Sequence, residues 1–458
     1  MIKLLIVGVA LAVAACTVGP DYKRPDVDLP QSLGLAQSPN PPAERWWSLF
    51  QDPVLDKLVD EALEHNRDLR VAAARIEQAR AQVAIARADQ FPSAGVSASK
   101  ARTRASSLGT FPLPSNLIET NDHRLVLQAS WEIDFWGKYR RASEAARADL
   151  AASEAGRDAV RASLVGDVTR GYFLLRSLDR RLDELTLTLD SRAKGLQLQQ
   201  MRFDAGVVSE LELRQVESDL RTIEATIPVL RQQRVREEGA LVVLLGRSPR
   251  EVFEAAVARG DPAAPAILEV PAGLPSDLLL RRPDLRQAEA QLQAANARIG
   301  VARAAYFPSI SLTGYYGGES QQLGDIFKGA ARTWSLAGGL LQPLFAAGQI
   351  RGGVNLADAR TREAAEGYQH AIANAFREVR DAIALQTNAR DALTAQRSRI
   401  GALGRALDLA KLRYDNGAIS LFEELDTERQ LYAARLDAIE AERDRLGAIV
   451  DLYLALGA

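Results

Sequence analysis

The sequence predicts a mainly α-helical chain, built twice over from a helix, an amphipathic β-hairpin and a pair of long helices. Three observations predict it. Residues 68–93 align without gaps on residues 284–309, with thirteen of 26 positions identical, including a shared Asp-Leu-Arg start and Phe-Pro-Ser end. Proline is missing from two long stretches, between Pro114 and Pro228 and again after Pro343. After each Phe-Pro-Ser the hydrophobic period shortens to two.

The proline-free stretches read as long helices, because proline breaks a helix interior. Val168, Leu175, Leu182, Leu189, Leu196 and Phe203 recur every seven residues, as do Leu393, Ile400, Leu407 and Tyr414. Leu425, Tyr432, Ile439, Leu446 and Tyr453 form a third row. Sustained heptads predict helices packed side by side. A helix from about Lys138 to Asp204 would be roughly 100 Å long at ~1.5 Å per residue. Periodicity by itself is equally compatible with a structural rod. Two copies are too few for a solenoid, which needs at least about three repeats.

Between the long helices of each copy stands a related motif: "RFDAGVVSELELRQ" at 202–215 and "RYDNGAISLFEELD" at 413–426. Gly206 and Gly417 suit the left-handed conformation that ends a helix. Ser209 and Ser420 suit the cap of the next one, with Glu212 and Glu423 completing capping boxes. Each motif therefore predicts a tight helix-turn-helix.

The strand signal is sharpest in "HRLVLQASWEIDFWG". Leu125, Leu127, Ala129, Trp131, Ile133 and Phe135 alternate with Arg124, Gln128, Ser130, Glu132 and Asp134, and Val126 is the one exception. Ser309, Ser311 and Thr313 alternate with Ile310 and Leu312 in the other copy. Long polar loops are expected near Thr103–Asp122 and Gly317–Arg332. Four amphipathic strands cannot close a membrane barrel, which needs at least about eight, and lipid does not tolerate open edges. Either several chains contribute strands, or the hairpins pack on helices in water; alternation leaves both open.

The chain opens "MIKLLIVGVALAVAAC". Lys3 and the apolar run Leu4–Ala15 read as a secretory signal over residues 1–15, too short to span a bilayer. Val13-Ala14-Ala15-Cys16 resembles a bacterial lipobox, in which Cys16 receives the lipid; an ordinary signal peptide is the alternative. Thr17 after the cysteine favours the outer membrane, by analogy with lipoprotein sorting. With one cysteine no intrachain disulfide is available, and 57 basic against 59 acidic residues gives no sign of nucleic-acid binding. His65, His123 and His370 lack metal-ligand spacing and no phosphate-binding Gly-Lys loop occurs, so neither metal nor nucleotide cofactor is expected and the chain does not read as an enzyme.

Three further stretches carry a resemblance: "AACTVGPDYKRP" at 14–25, "WWSLFQDPVLDKLVDEAL" at 46–63 and "RRPDLRQAEAQLQAANARIGVARAAYFPSISLTG" at 281–314. With the duplicated plan they resemble the outer-membrane factor family, the TolC-like channel-tunnels, in its lipoprotein branch serving multidrug efflux. The resemblance implies a lipidated segment and equatorial helix over 16–66, repeats over 67–250 and 283–458, and a linker over 251–282. It implies a homotrimer whose twelve strands form one barrel in outer-membrane lipid, continued by an α-helical periplasmic tunnel. Expected partners are a periplasmic adaptor (membrane fusion) protein and an inner-membrane pump of RND type. A lipid-anchored coiled-coil periplasmic scaffold without a pore is the alternative. By the resemblance, Gly206, Ser209, Gly417 and Ser420 lie at adaptor-contacting tips, and Phe422, Glu423 and Asp426 match the periplasmic gate. Capping is the other role for Glu423, and a surface ion pair for Asp426. Where some relatives have a basic latch this chain has Ile419, leaving Arg413 as the candidate substitute.

Overall fold

The computed structural model describes residues 17–28, 45–106, 108, 114, 118–254, 256–260 and 282–457. A single turn of 3-10 helix at Trp46–Phe50 precedes α1 (Pro53–His65) and α2 (Arg67–Ala88). Strands β1 (Ser93–Arg104) and β2 (Glu119–Ile133) follow, then α3 (Lys138–Asp204), α4 (Glu210–Leu244) and the short α5 (Pro249–Glu254). The series then repeats as α6 (Pro283–Ala304), β3 (Ser309–Ser320), β4 (Arg332–Leu341), α7 (Gln349–Asp415) and α8 (Leu421–Ala455). Both long helices have 67 residues and both of their return helices 35.

Contacts divide the described residues into two units. One holds the four strands, α2 from Arg75, α3 as far as Glu154, α6 from Gln287 and α7 as far as Gln369. The strands form one antiparallel sheet in the order β1-β2-β3-β4, so the two hairpins pair through β2 and β3. The other unit holds α1 and the remaining helical lengths. Its core gathers Trp46, Trp47 and Phe50 with Leu55, Val59, Tyr172 and Leu241. Asp52 organises this region: it caps α1 through the amides of Val54 and Leu55, accepts the Tyr172 hydroxyl at 2.6 Å and pairs with Arg176 at 3.0 Å.

The heptad rows face inward as their period predicts. Val168, Leu175 and Leu182 are buried on α3, Leu393 and Leu407 on α7, and Leu425, Leu446 and Tyr453 on α8. Helix α4 continues unbroken past Pro228, whose lost backbone hydrogen bond is offset by Ile223, Ile227 and Leu230 packing against Leu178, Leu182 and Leu185 of α3.

The sequence expectation for the hairpin loops needs correction. Strand pairing reaches Arg104 and Glu119 in the first hairpin, and Ser320 and Arg332 bound the second turn. A ladder needs backbone partners, not apolar side chains, and Arg102 and Arg104 close this end by pairing with Glu119 at 2.9 and 3.0 Å. Val126, the odd residue of its strand, is buried opposite Gly317, whose missing side chain leaves it room.

Candidate functional site

Register converts the alternation of single strands into two continuous faces. On one, Ala94, Ala129, Gly314 and Leu336 form a rung across all four strands; Val96, Leu127, Tyr316 and Trp334 form the next. Trp131, Leu312 and Gly338, then Ile133, Ile310 and Leu340, extend it toward the helices. This face is apolar yet open: Leu336 is 79% and Trp334 69% exposed. The opposite face carries Ser93, Ser130, Thr313 and Ala337 on one rung and Gly95, Gln128, Tyr315 and Ser335 on the next. There the Arg124 guanidinium stacks 4.4 Å from the Tyr315 ring and lies 3.8 Å from Glu319. A wide exposed apolar face backed by a polar one is the pattern of a strand set between lipid and water. Among the described residues β1 and β4 are edge strands, each with one side of its ladder unpaired.

The turns between long helices are built alike. Gly206 and Gly417 both stand at φ 71°, with open space where a side chain would begin, so backbone conformation is what selects glycine. The amide of Val207 bonds the Arg202 carbonyl and that of Ala418 the Arg413 carbonyl, closing each helix in a Schellman motif. Ser209 and Ser420 then cap α4 and α8, and Glu212 and Glu423 return the bond to complete both boxes.

Below these turns the four helices share a small core, with Val216, Leu421 and Leu425 packed against Leu196 and Tyr414. Beside it Arg192 of α3 is buried between Asp219 of α4 at 3.3 Å and Glu428 of α8 at 3.0 Å, while Arg429 reaches Asp219 at 2.9 Å. Burial, then neighbouring Glu428 and Asp415, raises the Glu424 carboxyl above its ordinary value, partly countered by Lys411 and Arg192.

A family profile described as "outer membrane efflux protein" matches residues 58–247 and 274–458. The chain belongs to the outer membrane efflux protein family. It is 35% identical to the solvent efflux pump outer membrane protein SrpC of Pseudomonas putida, over 98% of this chain and 96% of that one. It is 33% identical to the cation efflux system protein CusC of Escherichia coli K12, over 99% of both chains. The crystal structure of the CmeC outer membrane channel of Campylobacter jejuni superposes with a TM-score of 0.91 at 29% identity, covering 96% of this chain and 95% of that one.

For an outer membrane efflux protein the two-faced sheet has an evident use, and the outer membrane is its location. The sequence-predicted residues lie as follows. Gly206, Ser209, Gly417 and Ser420 are exposed at the two turns. Phe422 and Glu423 face solvent in the first turn of α8, with Leu421 and Leu425 buried behind them. The Glu423 carboxylate is engaged in its capping box, and Asp426 accepts a hydrogen bond from Gln430 at 2.7 Å. The Arg429 guanidinium sits 5.9 Å from the Phe422 ring. Cys16 lies outside the described residues. Sequence reasoning missed Arg192; its signal was a cation interrupting the Leu189 and Leu196 row of an otherwise apolar seam. Among the described residues no helix is long and apolar enough to cross a membrane, and no cluster of three or more His, Cys, Asp or Glu could hold a metal.

Proposed function

We propose that three copies of the chain close their sheets edge to edge into a 12-stranded barrel, completing a passive exit duct for an inner-membrane pump of RND type and a periplasmic adaptor. One observation carries the reading: a four-stranded sheet with an exposed apolar face and two unpaired edges, which lipid tolerates only when the ring is closed. Four strands per chain make three chains the smallest ring above the size of the smallest membrane barrels. The lipid joined to Cys16 anchors each chain to the same membrane.

The tips meet the adaptor. Val207 and Leu211 of the first, and Phe422 of the second, are exposed apolar side chains beside hydrogen-bonded turns, a surface suited to another protein. Phe422, Glu423 and Asp426 from three chains constrict the entrance, and the six carboxylates make it attract cations. The substrate belongs to the pump: relatives of nearly equal identity are named for solvent and for cation efflux.

Expression in a strain lacking its own efflux ducts tests this. Chains extracted without heating should run as trimers that dissociate on boiling, and the extract should form channels in planar bilayers. Single chains or silent bilayers would refute it.

A further inference from the structure

The outward face does not stay apolar as far as the hairpin tips. The rung of Val96, Leu127, Tyr316 and Trp334 is followed by Ala98, Leu125, Gly318 and Arg332, which brings the first cation. Beyond it Lys100 stands opposite His123, Arg102 opposite Asn121, and Arg104 opposite Glu119, all on the same face. Lys100, Arg102, Arg104 and Arg332 thus share one end of the apolar band, and Glu119 is the single carboxylate among these outward rungs. At the other end, toward the helices, Ile133, Ile310 and Leu340 close the band with no charge. The sheet is electrically lopsided.

We propose that this outward cationic girdle binds the phosphates of the glycolipid that forms the outer leaflet of the bacterial outer membrane. The inference rests on the barrel reading above. In that barrel a cation on the outward face must sit at headgroup depth, because burial in hydrocarbon is expensive. Tyr316 and Trp334 lie just inside the cations, where aromatic side chains favour the lipid–water interface. Arg102 is 72% and Arg104 75% exposed at the side chain, so Glu119 leaves guanidinium donors free for a phosphate. Ring closure sets β4 of one chain beside β1 of the next, so Arg332 of each copy lies at the same end of the ring as Lys100, Arg102 and Arg104 of its neighbour. The inward face offers no equal: its rungs at this end carry one cation, Arg124, against two carboxylates, Asp122 and Glu319. The uncharged end meets the inner leaflet, so the girdle also fixes which way the barrel faces.

Native mass spectrometry of the full-length trimer, titrated with phosphorylated glycolipid and with its dephosphorylated form, tests this. The phosphorylated form should bind at least about tenfold more tightly. Lys100→Gln with Arg332→Gln should lose about 25-fold for that form alone, at roughly fivefold per charge, and the inward Arg124→Gln should lose nothing. Should the double variant fail to assemble, each single variant carries the same test at about fivefold. Equal affinity for both glycolipids, or an equal loss in Arg124→Gln, overturns the proposal. Wild-type chains that stay single overturn the barrel and the girdle together, whereas trimers indifferent to phosphate overturn the girdle alone.

Discussion

At the scale of the residue, Glu423 carries two demands that are separable by chemistry. Its carboxylate completes a capping box, and Glu212 does the same at the other turn, so capping accounts for its position without a pore. Glutamine serves a capping box nearly as well as glutamate. Glu423→Gln with Asp426→Asn should therefore keep the thermal midpoint nearly unchanged, while block by multivalent cations weakens several-fold and single-channel conductance rises in planar bilayers. Unchanged block and conductance would return both residues to the helix surface. Glu424 makes the opposite case. Burial raises its carboxyl above the ordinary 4.5, so its charge opposes folding at neutral pH. The opposition fades as pH falls through the raised value and is gone below 4.5, where the carboxyl is neutral folded or unfolded. Glu424→Gln should raise protease resistance of the turns at neutral pH and flatten its pH dependence; a variant less resistant than the parent would contradict this.

At the scale of the element, the helix-turn-helix shows how a short motif encodes geometry. Gly206 and Gly417 need a positive φ but have nothing within reach of a side chain, so a substitution there pays for backbone conformation and not for a clash. The left-handed conformation costs a residue with a side chain about 1–2 kcal/mol, and Asn and Asp are among the few that adopt it. Gly417→Asn and Gly417→Asp should both assemble. Only the charged variant should lower drug resistance in a susceptibility assay, through lost adaptor contact. Failure of both to assemble would assign the turn to folding. The caps, the Schellman motifs and the inward heptads were all legible, because each depends on residues within one turn or one period of each other. Arg192 was not, since its partners Asp219 and Glu428 come from two other helices. The extent of the strands was also hidden: Arg102, Arg104 and Glu119 look like loop until their backbones are paired.

At the scale of the whole molecule, the faces of the sheet decide insertion. Ala129 points outward in mid-band and its chain neighbour Ser130 inward. Ala129→Arg should cost about 2–4 kcal/mol per chain at the bilayer midplane and abolish trimers in the outer membrane. Ser130→Arg should assemble normally and alter conductance. Equal tolerance of both would mean that the face called outward does not meet lipid. The same two-faced sheet is what separates a duct from a pore-less scaffold, which would have no use for an exposed apolar surface of this breadth.

The sequence alone determined the duplication, the long helices and their caps, and the alternating strands, because each is a local pattern in chain order. It also pointed to the family and to the residues at the turns. Only the tertiary structure decided that both hairpins join through β2 and β3, which side chains share a rung, and that cations crowd one end of the outward face. The reason is physical: a strand's own alternation marks two sides, but a register shift of one residue in its neighbour exchanges them. Hydrogen bonds between distant segments settle that register, and no segment contains it.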